Sequence, residues 1–95
     1  MQIIKTVSAL KTYLLAERKK GKRIGLVPTM GALHEGHLSL IRQSKTDNDL
    51  TVCSIFVNPT QFNESSDLVK YPRTPEQDQK MLERVQTEIL FMPPV

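Results

Sequence analysis

The chain has 95 residues, of which 39% are hydrophobic and 24% charged, and its formal net charge is +3. This length suits one small domain with a modest core. No stretch approaches the roughly 18 apolar residues of a membrane span, and the first residues lack the apolar core of a signal peptide, so we expect no membrane contact. The single cysteine, Cys53, lies in an apolar run, which predicts a buried structural thiol and a cytoplasmic protein.

The first elements predicted along the chain are a short strand at residues 2–4 and a helix from Val7 to about Lys20. Thr6 is suited to cap the start of this helix with its hydroxyl oxygen. The apolar side chains at helical spacing, which we expect on its buried face, are Val7, Leu10, Tyr13 and Leu14.

A basic run follows, in which five of the six residues from Arg18 to Arg23 are Lys or Arg and only Gly21 interrupts. Nucleic-acid-binding patches use such runs to contact phosphates. Cations also stabilise the last turn of a helix, and glycine is common just past its end. Because the run contains no aromatic residue, we expect a helix end and no nucleic-acid partner.

The middle of the chain predicts a strand at 24–27 closed by Pro28, a helix at 36–46 and a buried strand at 50–57 that ends before Pro59. The helix carries apolar side chains at helical spacing, namely Leu38, Leu40 and Ile41.

The last elements predicted are a helix that begins after Thr74 and ends near Val85, and a strand at 88–92. Pro75 suits the first helical position, and Thr74 with Gln77 matches the pattern of a capping box. The alternation of strands and helices predicts an α/β fold with a mainly parallel sheet flanked by helices. Ligands of such sheets bind beyond the carboxyl ends of the strands, so we expect a site where the loops after Val27 and Val57 meet.

The first of these loops, residues 28–37, has the composition of an anion site. Gly31 and Gly36 permit close approach of a ligand to the backbone, and the start of the following helix favours phosphate through its free N–H groups. His34 and His37 lie three residues apart, on one face of the turn, where neutral imidazoles can donate hydrogen bonds to a polyphosphate.

Other interpretations of this loop are possible. Met30 and Leu33 can simply pack it against the core. The two histidines can be idle surface residues or a metal pair, but His-Glu-Gly-His is one residue too short for the H-E-x-x-H zinc pattern and the chain has no further histidine. We therefore expect no metal held by the protein alone.

The second loop has the composition of a small-molecule pocket. Asn58 and Gln61 are neutral amides that can bind a hydroxyl or carboxylate, and Phe56 and Phe62 can supply apolar walls. Alternatively, Asn58 bonds its own turn, as Asn often does before proline. The polar stretch at 63–70 can act as a lid over the pocket.

Three segments resemble the sequence blocks of one enzyme family, in the same order along the chain. Pro28-Thr29-Met30-Gly31-Ala32-Leu33-His34-Glu35-Gly36-His37 resembles the signature of pantothenate synthetases (pantoate–β-alanine ligases). Residues 54–62 resemble the second block of that family, and Tyr71-Pro72-Arg73-Thr74 with Asp78 resembles the third.

The resemblance implies a Rossmann-like domain of the HxGH nucleotidyltransferase type and a ligase that uses ATP, Mg²⁺ carried by the nucleotide, pantoate and β-alanine. It implies that pantoyl adenylate forms and that β-alanine then displaces AMP. The positions implied to line the ATP site are Met30, Gly31, Ala32, Leu33, His34, Glu35, Gly36 and His37. Of these, His37 is implied to donate a proton and His34 to contact phosphate. The substrate positions implied are Met30, Asn58, Gln61 and Phe62.

Members of this family are considerably longer, and the additional part brings a Lys-Asp pair, a second glutamine and a C-terminal domain. Residues 1–95 are therefore expected to form the N-terminal part of the ATP- and pantoate-binding domain, inactive alone and prone to form dimers or larger assemblies. Two alternatives stay open. One is an HxGH nucleotidyltransferase, although Thr29-Met30-Gly31 lacks the acidic residue usual there. The other is a nucleotide-binding fragment without catalysis.

Overall fold

The computed structural model describes residues 1–58 and 73–94. These residues form, in chain order, β1 (Gln2–Ile4), α1 (Val7–Lys19), β2 (Ile24–Thr29), α2 (Glu35–Asp47), β3 (Leu50–Ile55), α3 (Pro75–Arg84) and β4 (Ile89–Phe91). The strands make one sheet in the order β1-β4-β3-β2, and each neighbouring pair is parallel. The predicted parallel α/β fold is confirmed. In the described ranges no helix has the length and apolarity to cross a membrane.

Two apolar clusters lie on opposite faces of the sheet. Alternate residues of β3 divide between them, since Val52 joins one cluster and Cys53 the other. The cluster beneath α1 is Ile4, Leu50, Val52 and Ile89, with Leu10, Tyr13 and Leu14 of α1 packed on it. The cluster beneath α2 and α3 is Val27, Leu33, Leu38, Ile41, Cys53, Ile55, Leu82 and Leu90. The sheet is thus covered on both faces, as its apolar strands predict.

Helix α1 begins at Val7, as predicted, but one of the four apolar side chains predicted on its buried face is exposed. The Thr6 hydroxyl oxygen accepts a hydrogen bond from the Ala9 N–H at 3.2 Å, which confirms the cap. Val7, predicted to face the core, is 57% exposed, so that prediction is wrong. It is the first residue of the helix and, unlike Leu10, Tyr13 and Leu14, it does not pack on the cluster beneath α1.

The basic run is a helix end, as predicted. Gly21 has φ +83° just past the end of α1, and its N–H donates to the Arg18 carbonyl at 2.9 Å. Two of the cations have an acidic partner, because Lys20 and Lys22 form ion pairs with Glu17 at 3.5 and 3.0 Å. The hydrogen bond from Lys22 holds the pKa of the Glu17 carboxyl below its usual value.

Strand β2 does not end at Pro28, contrary to the prediction. Pro28 pairs in register with Ser54, and the strand runs on to Thr29. Proline is tolerated there because β2 is an edge strand of the described sheet. The N–H that proline lacks is therefore not needed to bond a second neighbouring strand. Strand β3 ends at Ile55, two residues earlier than expected. In α2, Leu38 and Ile41 are buried as predicted, whereas Leu40 is exposed.

The thiol of Cys53 is structural, as predicted. The residue is fully buried in the cluster beneath α2 and α3. Burial raises the pKa of this thiol to about 12, so the nucleophilic thiolate does not form at neutral pH.

Candidate functional site

A cavity of about 550 Å³ opens at the carboxyl edge of the sheet. The residues that follow all four strands contribute to it, as expected for ligand sites of parallel sheets. Its lining is mainly apolar, with two cationic side chains, Lys5 and Arg73. The lining residues are Lys5, Thr6, Met30, Gly31, Ile55, Val57, Arg73, Thr74, Pro75, Asp78, Met92, Pro93 and Pro94.

The two loops predicted to form the site do meet at this cavity, although not all the residues through which they meet were predicted. Met30 and Gly31 follow β2 and share the cavity with Val57, which follows β3. Phe56 is exposed and does not line the cavity, so its predicted role as a wall is wrong. Asn58, three residues after the end of β3, is half-buried and is not among the lining residues.

Several predicted features fall on residues outside the described ranges. These are the substrate positions Gln61 and Phe62 and the lid at 63–70. They stay predictions.

The loop after β2 turns through two consecutive left-handed residues. Gly31 has φ +87°, and Ala32 has φ +50°, a region that residues with a side chain rarely occupy. A Cβ at Gly31 would lie 3.2 Å from the Ile55 side chain and 3.4 Å from the Asp78 carboxylate. Glycine is therefore suited to this position by backbone conformation and by space.

Asp78 of α3 holds this turn. Its carboxylate accepts hydrogen bonds from the Ala32 N–H at 3.1 Å and the Leu33 N–H at 2.9 Å. The Thr74 hydroxyl also donates to it, at 3.1 Å. This contact replaces the predicted capping box of Thr74 with Gln77, because Thr74 makes no side-chain bond to the helix backbone. Pro75 is the first residue of α3, as predicted.

Asp78 belongs to the third of the segments that resemble the family, but no role was predicted for it. The sequence signal available was an acidic residue in the first turn of a helix, a place where acids are common. Only the fold shows that this one is buried against a loop 45 residues earlier in the chain.

The two histidines cap helix α2 with their own side chains. The Gly36 N–H donates to His34 Nδ1 at 3.0 Å, and the His34 N–H donates to His37 Nδ1 at 3.1 Å. The ring centroids lie 4.1 Å apart, so the predicted common face is confirmed. A Cβ on Gly36 would lie 2.8 Å from His34 Cε1, so glycine gives the ring its space.

This cap determines which nitrogen atoms can serve a ligand. Because Nδ1 accepts in both rings, the neutral imidazoles carry their proton on Nε2. Burial lowers the pKa of His37 below its usual value, the charge of His34 lowers it further, and Asp78 opposes both. His37 is therefore a neutral Nε2–H donor at pH 7.

The predicted use of free backbone amides for phosphate is wrong for most of the loop. The N–H of Gly31 donates to the Thr29 hydroxyl at 3.2 Å. The amides of Ala32 and Leu33 donate to Asp78, and those of His34 and Gly36 donate to the imidazoles. The imidazole Nε2–H groups, at the positive end of α2, are donors that these bonds leave available for an anion.

The remaining predicted residues of the loop have structural contacts. Leu33 is buried in the core beneath α2, which confirms its packing role. Glu35 is the first residue of α2 and forms an exposed ion pair with Arg42 at 2.6 Å. In the part of the chain that the structure describes, no three His, Cys, Asp or Glu side chains are grouped to hold a metal ion.

The model of the pantoate-β-alanine ligase family matches residues 2–95. The chain belongs to the pantoate-β-alanine ligase family. A pantothenate synthetase from Brucella anthropi is 54% identical over 95 residues, which are all of this chain and 33% of that protein. This ligase-family chain thus spans about a third of the length of the relatives that it matches.

Two solved structures of the family share the fold of this ligase-family chain. Pantothenate synthetase from Thermus thermophilus has a TM-score of 0.87 at 38% identity, over 99% of this chain and 32% of that one. Pantoate-β-alanine ligase from Francisella tularensis, complexed with β-γ ATP and β-alanine, has a TM-score of 0.84 at 43% identity. This comparison covers 98% of the present chain and 35% of the Francisella chain.

Proposed function

We propose that residues 1–95 supply one wall of the active site of an enzyme that joins pantoate to β-alanine at the expense of ATP. The observation that carries the proposal is the pair of capped imidazoles at the positive end of α2. They belong to the same loop as Met30 and Gly31, which line a cavity with two cations, although the histidines themselves are not among its lining residues. Family membership and a relative complexed with β-γ ATP and β-alanine support it.

We assign the polyphosphate to the loop from Met30 to His37. His34 and His37 are held by their own caps, so their Nε2–H donors do not need to reorganise when a phosphate arrives. Donors fixed before the reaction stabilise charge that develops in the transition state. The lowered pKa of His37 favours its neutral form, which donates this bond from Nε2–H while Nδ1 accepts the His34 N–H.

We assign the acid substrate to the cavity at the carboxyl edge of the sheet. Its walls are mostly apolar, and Lys5 and Arg73 give it positive charge. A small hydroxy acid has an apolar body and one carboxylate, which matches this combination. Asn58 and Gln61 are proposed to bind its hydroxyls, in line with the family resemblance.

The proposed reaction has two steps. A pantoate carboxylate oxygen attacks the α-phosphorus of ATP, the bond to the β-phosphate oxygen breaks, and pyrophosphate leaves with the electron pair to give pantoyl adenylate. The β-alanine amine then attacks the acyl carbon, loses a proton and expels AMP, which leaves pantothenate. We assign to His34 and His37 the stabilisation of negative charge on the phosphates during the first step.

We propose that Mg²⁺ arrives with the nucleotide, as the family resemblance implies. When bound, Mg²⁺ neutralises charge on the phosphate oxygens. A cytoplasmic location stays a prediction from the sequence.

We further propose that these 95 residues alone do not complete the reaction, since the relatives are about three times as long. The purified chain is incubated with pantoate, β-alanine and Mg-ATP and assayed for pantothenate by mass spectrometry. We expect none, and pantothenate formed by these 95 residues would overturn this proposal.

The proposed role of His37 is tested in the complete protein to which residues 1–95 belong. We expect His37→Ala to slow adenylate formation by about 100- to 1,000-fold, the usual effect of removing one preorganised donor. Ser39→Ala, an exposed change on the next turn of α2, is the matched control and should leave the rate unchanged. Adenylate formation at the original rate in His37→Ala would remove this residue from the mechanism.

A second substitution tests the acid pocket. We expect Gln61→Ala to raise the KM for pantoate while leaving ATP binding largely intact, because the amide is assigned to pantoate alone. Steady-state kinetics with each substrate varied in turn measures the two effects. Equal losses for pantoate and ATP would contradict the assignment.

A complete protein that transfers an adenylyl group to a phosphate-bearing substrate, and makes no pantothenate, would favour the nucleotidyltransferase alternative.

A further inference from the structure

Asp78 is an unusual acid in this fold because it is almost fully buried and serves a distant loop. Asp78 is only 2% exposed. Among the residues that the structure describes, no Lys, Arg or His forms an ion pair with it. Its oxygens instead accept from two consecutive backbone amides, those of Ala32 and Leu33, and from the Thr74 hydroxyl. Buried carboxylates are retained where such hydrogen bonds satisfy them.

The two amides belong to the turn that places both histidines. Ala32 has φ +50°, a conformation unfavourable for a residue with a Cβ, so the turn needs an external partner to persist. Asp78 Oδ2 bonds Ala32 and Oδ1 bonds Leu33, which fixes two successive N–H directions at once. Leu33 is thereby held in the core directly before His34, the cap of α2.

We infer that Asp78 is a positioning residue for adenylate formation, an inference that rests on the proposed function. Asp78 acts through the turn at Ala32 and Leu33, which sets where the imidazoles of His34 and His37 stand. Those imidazoles are assigned to the phosphates, and pyrophosphate has left before β-alanine attacks. The first step therefore depends on Asp78, and the second step does not.

The deciding experiment separates the two steps in the complete protein. Asp78→Asn keeps the shape of the side chain but replaces one acceptor oxygen by an NH₂ donor, so one of the two loop amides loses its partner. We expect pyrophosphate release from pantoate and Mg-ATP in a single turnover to slow by about 10- to 100-fold, the scale of a small misplacement of reacting groups. The reaction of supplied pantoyl adenylate with β-alanine should stay within about twofold of its original rate.

Glu76→Gln is the matched control. Glu76 also lies in the first turn of α3, but it is exposed whereas Asp78 is buried, so both steps should keep their rates. If Asp78→Asn slows both steps equally, or slows neither, the inference is overturned. If the unsubstituted complete protein makes no pantothenate, it is the proposed function that fails.

A second measurement covers the case in which Asp78→Asn does not fold. In the unsubstituted 95-residue chain, hydrogen exchange followed by NMR should show the Ala32 and Leu33 amides protected by at least about tenfold relative to exposed amides, because both donate to a buried acceptor. Exchange of both amides at the rate of exposed ones would overturn the inference whatever the variant does.

Discussion

At the residue scale, the two ring nitrogen atoms of His34 and of His37 have different roles. The Nδ1 atoms accept the backbone N–H groups that would otherwise be unsatisfied at the start of α2. The Nε2–H groups are left to face a ligand. Acceptance at Nδ1 requires the neutral ring, because a protonated Nδ1 cannot accept a hydrogen bond.

We expect His37 to titrate below pH 6.5, the usual midpoint for histidine, since burial disfavours its charged form. The folded chain then binds this proton less readily than the unfolded chain. The stabilisation that neutral His37 contributes is complete above about pH 6.5 and is lost as the pH falls through the lowered pKa. Long-range ¹H–¹⁵N NMR of the 95-residue chain measures this pKa directly, because the chain has two histidines.

The same spectra report the tautomer, since a protonated and an unprotonated ring nitrogen resonate far apart. The Nε2–H form should dominate for His37 above its pKa. The variant His34→Gln assigns the two histidines and removes the charge that lowers the pKa of His37, so that pKa should rise in the variant. A His37 pKa at or above 6.5 in the unsubstituted chain, or an Nδ1–H tautomer, would contradict the cap.

The grouping of the loop residues could be predicted from the sequence, but the hydrogen-bond partners of their backbone amides depend on contacts with residues far along the chain. The glycines and histidines of residues 31–37 stand together in the chain, so their spacing alone placed them on one turn. The occupation of the amides could not be predicted, because the acceptor for Ala32 and Leu33 is Asp78, more than 40 residues away. Such a partner becomes visible only when α3 is packed on the sheet.

At the element scale, α2 lies unusually close to β2. A Cβ on Gly25, the second residue of β2, would overlap the side chains of Ser44 and Asn48 at the end of α2. Asn48 Nδ2 donates to the Ser44 carbonyl at 3.0 Å, and the Ser44 hydroxyl lies 2.7 Å from that of Thr51 in β3. The helix therefore cannot move away from the sheet without breaking the bond between Ser44 and Thr51.

We expect Gly25→Ala to lower the free energy of unfolding by about 1 to 3 kcal/mol, the range for overpacking a close contact. Urea denaturation of the 95-residue chain, followed by circular dichroism, measures it. Gly21→Ala is the comparison, because a Cβ there meets nothing within 4 Å and the cost is only that of its φ of +83°. A smaller loss for Gly25→Ala than for Gly21→Ala would contradict the close packing.

The order and type of the elements were predictable because each apolar run is local. The details that were wrong depend on position in the sheet or on partners far along the chain. Pro28 ends a strand in most sheets but not at an edge, and the order β1-β4-β3-β2 that makes β2 an edge is not written in any local segment. Likewise, Thr74 has the sequence of a capping box, but Asp78 competes for its hydroxyl.

At the scale of the whole molecule, the edge strand β2 leaves apolar surface uncovered. Leu26 alternates with Val27, so it lies on the face that α1 covers elsewhere, yet it is 63% exposed. An edge strand with an exposed apolar residue favours association with another chain. We propose on this basis that the 95-residue chain forms dimers or larger assemblies.

The substitution Leu26→Lys should weaken this association, because a charge on an edge strand opposes pairing. Light scattering across a concentration series should show the unsubstituted chain above monomer mass and Leu26→Lys closer to it. Leu40→Lys is the matched control, since Leu40 is comparably exposed but lies on α2, and it should leave the mass unchanged. A monomer at all concentrations in the unsubstituted chain would rule out the association.

The place of β1 in the sheet has a consequence for how the chain is made. Strand β1 pairs with β4, which lies more than 80 residues later, and the Gln2 N–H donates to the Glu88 carbonyl and the Met92 N–H to the Ile4 carbonyl. Strands β2 and β3 can pair as soon as the helix between them has been translated. Strand β1 therefore pairs later in synthesis than β2 and β3 do, because its partner β4 is translated after both of them.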